Sequence, residues 1–214
     1  MRFLPAALSI LLFPALVCAA EPRQDPRWSL ELKGGAFFPA VDNWSRYYGS
    51  SHVGEWGGAF GYKPLRQIEV GIEGSYLRKT GKGNQPEHQL LGGKATYRQI
   101  PLNLYVVARG IFREDQLLVP YAGGGFSRVF YRTEIAGGEK RSGSVSGYHA
   151  RGGVQMLLDR LEPDSARNLY EDFGISHTYL LLEGKYTRAM ADTASGGSVD
   201  IGGASWLGGF LFEF

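Results

Sequence analysis

The most constraining feature of this chain is an alternation with period two that recurs to its last residue. The closing stretch "GASWLGGFLFEF" sets Trp206, Phe210, Phe212 and Phe214 on one side of an extended strand and Gly209, Leu211 and Glu213 on the other. Successive side chains of a strand point to opposite faces, so one face is uniformly apolar and the other is not. The same pattern appears in seven earlier stretches. "WSLELKGGAFF" puts Trp28, Leu30, Leu32, Ala36 and Phe38 against Ser29, Glu31, Lys33 and Gly35. "EWGGAFGYK" groups Trp56, Phe60 and Tyr62. "RQIEVGIEGSYLRK" sets Ile68, Val70, Ile72 and Tyr76 against Gln67, Glu69, Glu73 and Ser75. "YRQIPLNLYVVAR" sets Ile100, Leu102, Leu104 and Val106 against Asn103, Tyr105 and Arg109. "LLVPYAGGGFSRVFYR" is strand-like, with glycines that blur its faces. "SGYHARGGVQMLLD" sets Tyr148, Ala150, Val154 and Met156 against His149, Arg151 and Gln155. "HTYLLLEGKYTR" sets Leu180, Leu182 and Tyr186 against Glu183 and Lys185.

Eight strands of about 9–14 residues match the length that a tilted membrane strand needs. Long polar connections follow strands one, three, five and seven, and short ones follow strands two and four. The sixth, "RLEPDSARNLYEDFGIS", predicts a short helix capped by Asp164 and ended by Gly174. An even strand count returns both ends of the chain to one side, and long loops opposite short turns fit an outer-membrane barrel. Glycine supplies 31 of 214 residues, about twice ordinary usage, beside 12 Tyr, 12 Phe and 4 Trp. That composition suits many strands with close backbone approach.

Alternation alone does not distinguish a soluble barrel from a membrane barrel. The aromatic placement does. Trp28, Tyr62, Phe212 and Phe214 fall at one set of strand ends, and Phe38, Tyr76, Tyr148 and Tyr186 nearer the other. Aromatics at both levels are the girdles of a bilayer-spanning wall.

The first residues, "MRFLPAALSILLFPALVCAAEP", read as a secretory signal over 1–20, with Arg2 as its positive end. Residues 21–27 then form a periplasmic segment and 28–214 the barrel. The single cysteine, Cys18, lies in that leader. An alternative makes Cys18 a lipidated residue, with bulky Val17 where a small residue is wanted. The mature chain then has no disulfide, zinc-thiolate or cysteine-nucleophile chemistry. A net charge of +2 gives no case for nucleic acid.

The whole of Trp28–Phe214 resembles the small eight-stranded barrels of the OmpA/OmpX/OmpW-like group. The stretches that carry the resemblance are "ELKGGAFFP", "YYG", "IPLNLYV", "VPYAGGGFS" and "FLFEF". Trp206, Phe210, Phe212 and Phe214 further resemble the signal read by the barrel-assembly machinery of Gram-negative bacteria. The resemblance implies an all-β, monomeric transmembrane barrel in the cell outer membrane, in contact with outer-membrane lipids and lipopolysaccharide, without a cofactor. It implies a range of roles without choosing among them; the reading taken from the sequence is a non-enzymatic barrel, a porin-like conduit for small apolar solutes, with a structural or surface-interaction barrel whose extracellular loops bind partners as the alternative and an outer-leaflet lipid-modifying enzyme third.

The inward face carries Glu31, Lys33, Glu69, Glu73, Arg109, His149, Arg151, Glu183 and Lys185. Eight strands enclose only enough space for side chains, so these predict a paired polar plug, with Arg151 on Glu183 and Glu73 close by. Glu69 and Glu73 stand roughly 13 Å apart along one strand, too far for a glycosidase pair. A lipid A deacylase wants His-x-Ser on a late strand. Here Tyr179 follows His177 at the serine position. For a conduit, Phe37, Trp44, Tyr47 and Tyr48 are the expected apolar vestibule at the outer mouth. The pairs Gly34–Gly35 and Gly57–Gly58 either leave a gap in the wall or accommodate curvature. The basic residues Arg46, Lys79, Lys82, Lys140 and Arg141 either meet lipopolysaccharide phosphates or serve solubility. His52 and His88 are expected in solvated loops.

Overall fold

The computed structural model describes residues 25–81, 95–113, 116–135, 140–192 and 196–214. The leader, Cys18, Lys82 and His88 lie outside the described residues. In chain order the elements are β1 (Trp28–Pro39), α1 (Trp44–Tyr48), β2 (Val53–Leu65), β3 (Ile68–Gly81), β4 (Ala95–Arg109) and β5 (Leu118–Ile135). Then follow β6 (Lys140–Leu157), α2 (Pro163–Phe173), β7 (His177–Asp192), β8 (Ser198–Asp200) and β9 (Gly203–Glu213).

Each strand pairs antiparallel with its neighbour, and β9 pairs with both β1 and β7. The additional β6–β7 pairing closes the sheet, so β1–β7 and β9 form an eight-stranded antiparallel barrel. Closure gives each of the eight wall strands a neighbour on both sides, which a bilayer interior requires. The seam is completed by backbone bonds, with Trp28 N to Phe214 O at 2.8 Å and Phe214 N to Trp28 O at 3.0 Å. No helix of the described residues is long and apolar enough to cross a membrane.

The faces follow the alternation. Trp56, Leu104, Leu182 and Trp206 are 70%, 58%, 62% and 69% exposed on the outside, while Glu31, Lys33, Glu73, Arg151 and Glu183 are buried inside. The apolar side is outward and the charged side inward, the inverse of a soluble barrel. The glycines that blurred β5 resolve by register: Ser127 and Val129 are buried, while Phe126 and Phe130 are exposed.

Several expectations need correction. The fifth connection is not a long loop. β5 and β6 each run for 18 residues, and Glu134 still pairs with Lys140. The seventh contains β8, which pairs Met190–Asp192 of β7. A second helix, α1, stands in the first loop between left-handed Asn43 and Gly49. Asp164 lies in the first turn of α2 and does not cap it: the cap position is Glu162, without a side-chain bond, and Pro163 starts the helix. Gly174 ends α2 in the left-handed conformation, as expected. The glycine pairs open no gap. β1 and β2 pair continuously from Trp28↔Tyr62 to Phe37↔Val53. The Trp56 ring lies so close over Gly34 that a Cβ there would meet it at 2.5 Å.

Candidate functional site: the filled lumen

The interior is stratified. Its middle is ionic, one end is apolar, and the other combines a second ion-pair group with apolar side chains. Lys33, from β1, reaches Glu73 at 2.5 Å, Glu31 at 3.0 Å and Glu183 at 3.0 Å. Arg151, from β6, contacts Glu183 at 2.5 Å, Glu31 at 2.7 Å and Glu73 at 3.3 Å. Lys185, from β7, contacts Glu55 and Glu73, both at 2.7 Å. Glu73 thus holds cations from three strands. Asn103 donates at 3.0 Å to Glu73 Oε1, the oxygen that also takes Lys185.

Tyrosines complete the layer. Tyr121 donates to Glu183 at 2.8 Å and Tyr105 to Glu69 at 2.8 Å. The Arg151 guanidinium also stands 4.7 Å from the Tyr105 ring centroid. Tyr105 finds room because its cross-strand partner is Gly71. A Cβ there would sit 2.6 Å from the phenol. Among the described residues no cation pairs directly with Glu69.

Towards the end where the chain enters and leaves the barrel, Glu213 is held by Arg109 and, at 2.8 Å, by Lys63. Val119, Leu157, Tyr179, Leu181 and Leu211 pack around this end. Towards the other end, Phe37, Trp44, Val53, Leu77 and Tyr97 form a buried cluster, with Val41, Tyr48 and Tyr131 against it. Trp44 stacks on Tyr48 at 4.1 Å and meets Tyr97 edge-on at 5.2 Å. Burial pushes the Tyr48 hydroxyl pKa up, so the phenol over the mouth stays neutral.

The structure brings Glu73, Arg151, Glu183 and Lys185 into one network, with Glu69 at its margin. Arg109 belongs to a separate group with Glu213. His149 stands apart from the ion pairs, with its Nδ1 3.0 Å from Ser127 Oγ. This Ser–His contact has no acid: His149 Nε2 is buried without a partner among the described residues. His177 pairs with Asp159 at 2.8 Å near the α2 turn. Phe37, Trp44 and Tyr48 do converge at one mouth. They fill it rather than line an open vestibule, and Tyr47 is outside the cluster at 42% exposure. Trp206 and Phe210 are exposed on the lipid face and Phe210 stacks with Phe212 at 6.5 Å.

Three network members were not counted from sequence: Glu55, Lys63 and Glu213. The signal was present. With Trp56, Phe60 and Tyr62 facing out, parity turns Glu55 and Lys63 inward. Among the described residues no group of His, Cys, Asp and Glu is placed to hold a metal ion.

Wall, belt and ionic filling together define a small outer-membrane β-barrel. No protein-family model and no curated protein sequence matches the chain. Solved structures do match in fold. The crystal structure of the outer membrane protein OprG from Pseudomonas aeruginosa superimposes with a TM-score of 0.61 at 14% identity, covering 90% of this chain and 97% of that one. Neisserial surface protein A, NspA, gives a TM-score of 0.54 at 11% identity, covering 87% of this chain and 97% of that one.

Proposed function

We propose that this chain is a closed, non-conducting and non-enzymatic outer-membrane barrel whose outer rim and loops bind envelope or external partners. The ionic layer supports this reading most directly. Lys33, Arg151 and Lys185 are each held by at least two carboxylates in the middle of the lumen. Apolar clusters cover that layer at both ends. A solute crossing the lumen has to part these pairs and leave buried charges unpaired, which costs several kcal/mol per ion. In this reading residues 1–20 direct export, the α1 end faces outward, the chain ends and α2 face the periplasm, and the barrel is monomeric. Trp206, Phe210, Phe212 and Phe214 serve recognition by the assembly machinery.

The test is conductance of the refolded barrel in planar bilayers, with uptake of a small apolar dye by vesicles. The expected result is neither current steps nor uptake above empty vesicles. Discrete steps or carried dye overturn the closed reading.

One observation favours a second reading, a conduit for apolar solutes. α1 has five residues, no side-chain cap and left-handed residues at both ends, and it is held over the mouth by Trp44 and Tyr48 packed on Tyr97 and by its close approach to Gly81 of β3. If α1 swings aside, Phe37, Leu77 and Tyr97 line an apolar entrance. Faster dye uptake by Trp44→Ala than by the parent protein supports this reading. Equal background uptake by both removes it.

A further inference from the structure

The lipid-facing wall turns from mainly apolar to basic towards the α1 end. Tyr76 on β3, Ile100 on β4 and Phe130 on β5 are exposed members of the apolar surface. Two residues further towards the α1 end, on the same outward face of each strand, stand Arg78, Arg98 and Arg132. The step is roughly 7 Å along the strand. Register lines them up: Arg78 is opposite Arg98, and Arg98 is opposite Arg132. Three guanidinium groups therefore form one rung across three strands.

Like charges directly opposite one another on a sheet face are destabilising. Among the described residues the carboxylate that pairs with this rung is Glu134, 2.6 Å from Arg132. Glu134 is itself opposite Lys140, so the patch stays strongly positive. Arg98, flanked by arginine on both sides, is half-buried, and its Nε is buried without a partner among the described residues. The neighbouring Arg128 differs. It faces outward on the same strand as Arg132 but donates to Ser144 and Ser146 at 2.6 and 2.7 Å.

Depth identifies the partner. Interfacial aromatics sit at headgroup level, and a side chain one step beyond them meets headgroup phosphates. Arginine presents a planar fork that binds phosphate bidentately and keeps its charge, which suits it to an array of phosphate oxygens. We propose that Arg78, Arg98 and Arg132 form a binding site on the outer wall for the phosphate groups of lipopolysaccharide, each shared anion neutralising arginines on adjacent strands. This inference uses the outward orientation of the α1 end from the reading above. It does not depend on whether the lumen conducts.

The test is native mass spectrometry of the refolded full barrel in detergent. Diphosphoryl lipid A, monophosphoryl lipid A and phosphatidylglycerol are the probes. The parent protein is compared with Arg98→Gln, with the triple variant Arg78→Gln/Arg98→Gln/Arg132→Gln, and with Arg128→Gln as a control. Heat-modifiable electrophoretic mobility verifies that each is folded. Retention of diphosphoryl lipid A is expected to fall about threefold in Arg98→Gln and about tenfold or more in the triple variant, with Arg128→Gln unchanged. Monophosphoryl lipid A is expected to be retained less than the diphosphoryl form by the parent alone. Unfolding supplies a second readout with a sign change: the triple variant is more stable than the parent in zwitterionic lipid, where repulsion is relieved, and loses that advantage with lipid A. Equal retention by the parent and the triple variant overturns the site. Equal loss in Arg128→Gln reduces it to general surface charge and overturns it too. Phosphatidylglycerol retained as well as lipid A, and lost in parallel, overturns the assignment to lipopolysaccharide. Because lipid retention and conductance are read separately, failure here leaves the closed-barrel reading standing.

Discussion

Arg151 and Lys185 stand directly opposite each other on β6 and β7, two like charges buried on one face, and both contact Glu73. Glu73 also takes Lys33. One carboxylate therefore joins cations from three strands and makes their burial tolerable.

Glu73→Gln is expected to be the most damaging neutral substitution in the lumen. It leaves three cations short of one anion and should cost about 3–5 kcal/mol, as loss of one partner from a buried ion pair does. Glu69→Gln should cost much less, because among the described residues no cation pairs directly with Glu69, which accepts from the Tyr105 hydroxyl. Urea unfolding of barrels refolded into vesicles measures both. A Glu73→Gln variant no less stable than Glu69→Gln overturns the role of Glu73 as the shared counter-ion.

Arg151 and Glu183 should be energetically coupled. Removing Arg151 alone leaves Glu183 with Lys33 and the Tyr121 hydroxyl, so Arg151→Met should destabilise more than Arg151→Met/Glu183→Leu. A double-mutant cycle with no coupling energy contradicts the direct pairing.

The wall faces can be probed with charge. Leu104→Arg places a guanidinium on the hydrocarbon side and should impair folding in lipid by about 2–4 kcal/mol if near midplane. Thr80→Arg, beyond the arginine rung on the same side of the wall, should cost about 0–1 kcal/mol. Equal tolerance at both positions, by vesicle refolding, would place the lipid boundary elsewhere.

Gly71 makes space for Tyr105. Gly71→Val should push the ring off Glu69 and destabilise by about 1–3 kcal/mol through overpacking. Tyr105→Phe removes the hydroxyl that donates to Glu69 and should cost about 1–3 kcal/mol in the parent protein. In the Gly71→Val background that hydrogen bond is already lost, so the same substitution should cost much less. Urea unfolding of the two single variants and the double variant compares the two costs. An equal cost of Tyr105→Phe in both backgrounds argues against this contact.

Much of the fold was legible because strand geometry is local. Side-chain parity assigns Leu104 to lipid and Asn103 to the lumen without any tertiary information. The same parity places Glu31, Lys33, Glu73, Arg151, Glu183 and Lys185 in one interior, and eight strands leave little room there except for contact. Aromatic residues at both strand ends distinguish a membrane wall from a soluble one. What parity lacks is height and rotation around the barrel. Only register made Glu73 the shared carboxylate and separated Arg109 onto Glu213. Only the packing of α1 turned Phe37, Trp44 and Tyr48 from a funnel into a plug, because a single turn of helix has no hydrophobic period long enough to announce itself. The rung of Arg78, Arg98 and Arg132 is likewise tertiary: three arginines far apart in sequence become neighbours because antiparallel pairing sets 78 against 98 and 98 against 132. Sequence determines which side of the wall a residue faces, since that depends on one strand. Tertiary structure decides which residues meet, since that depends on how several strands align.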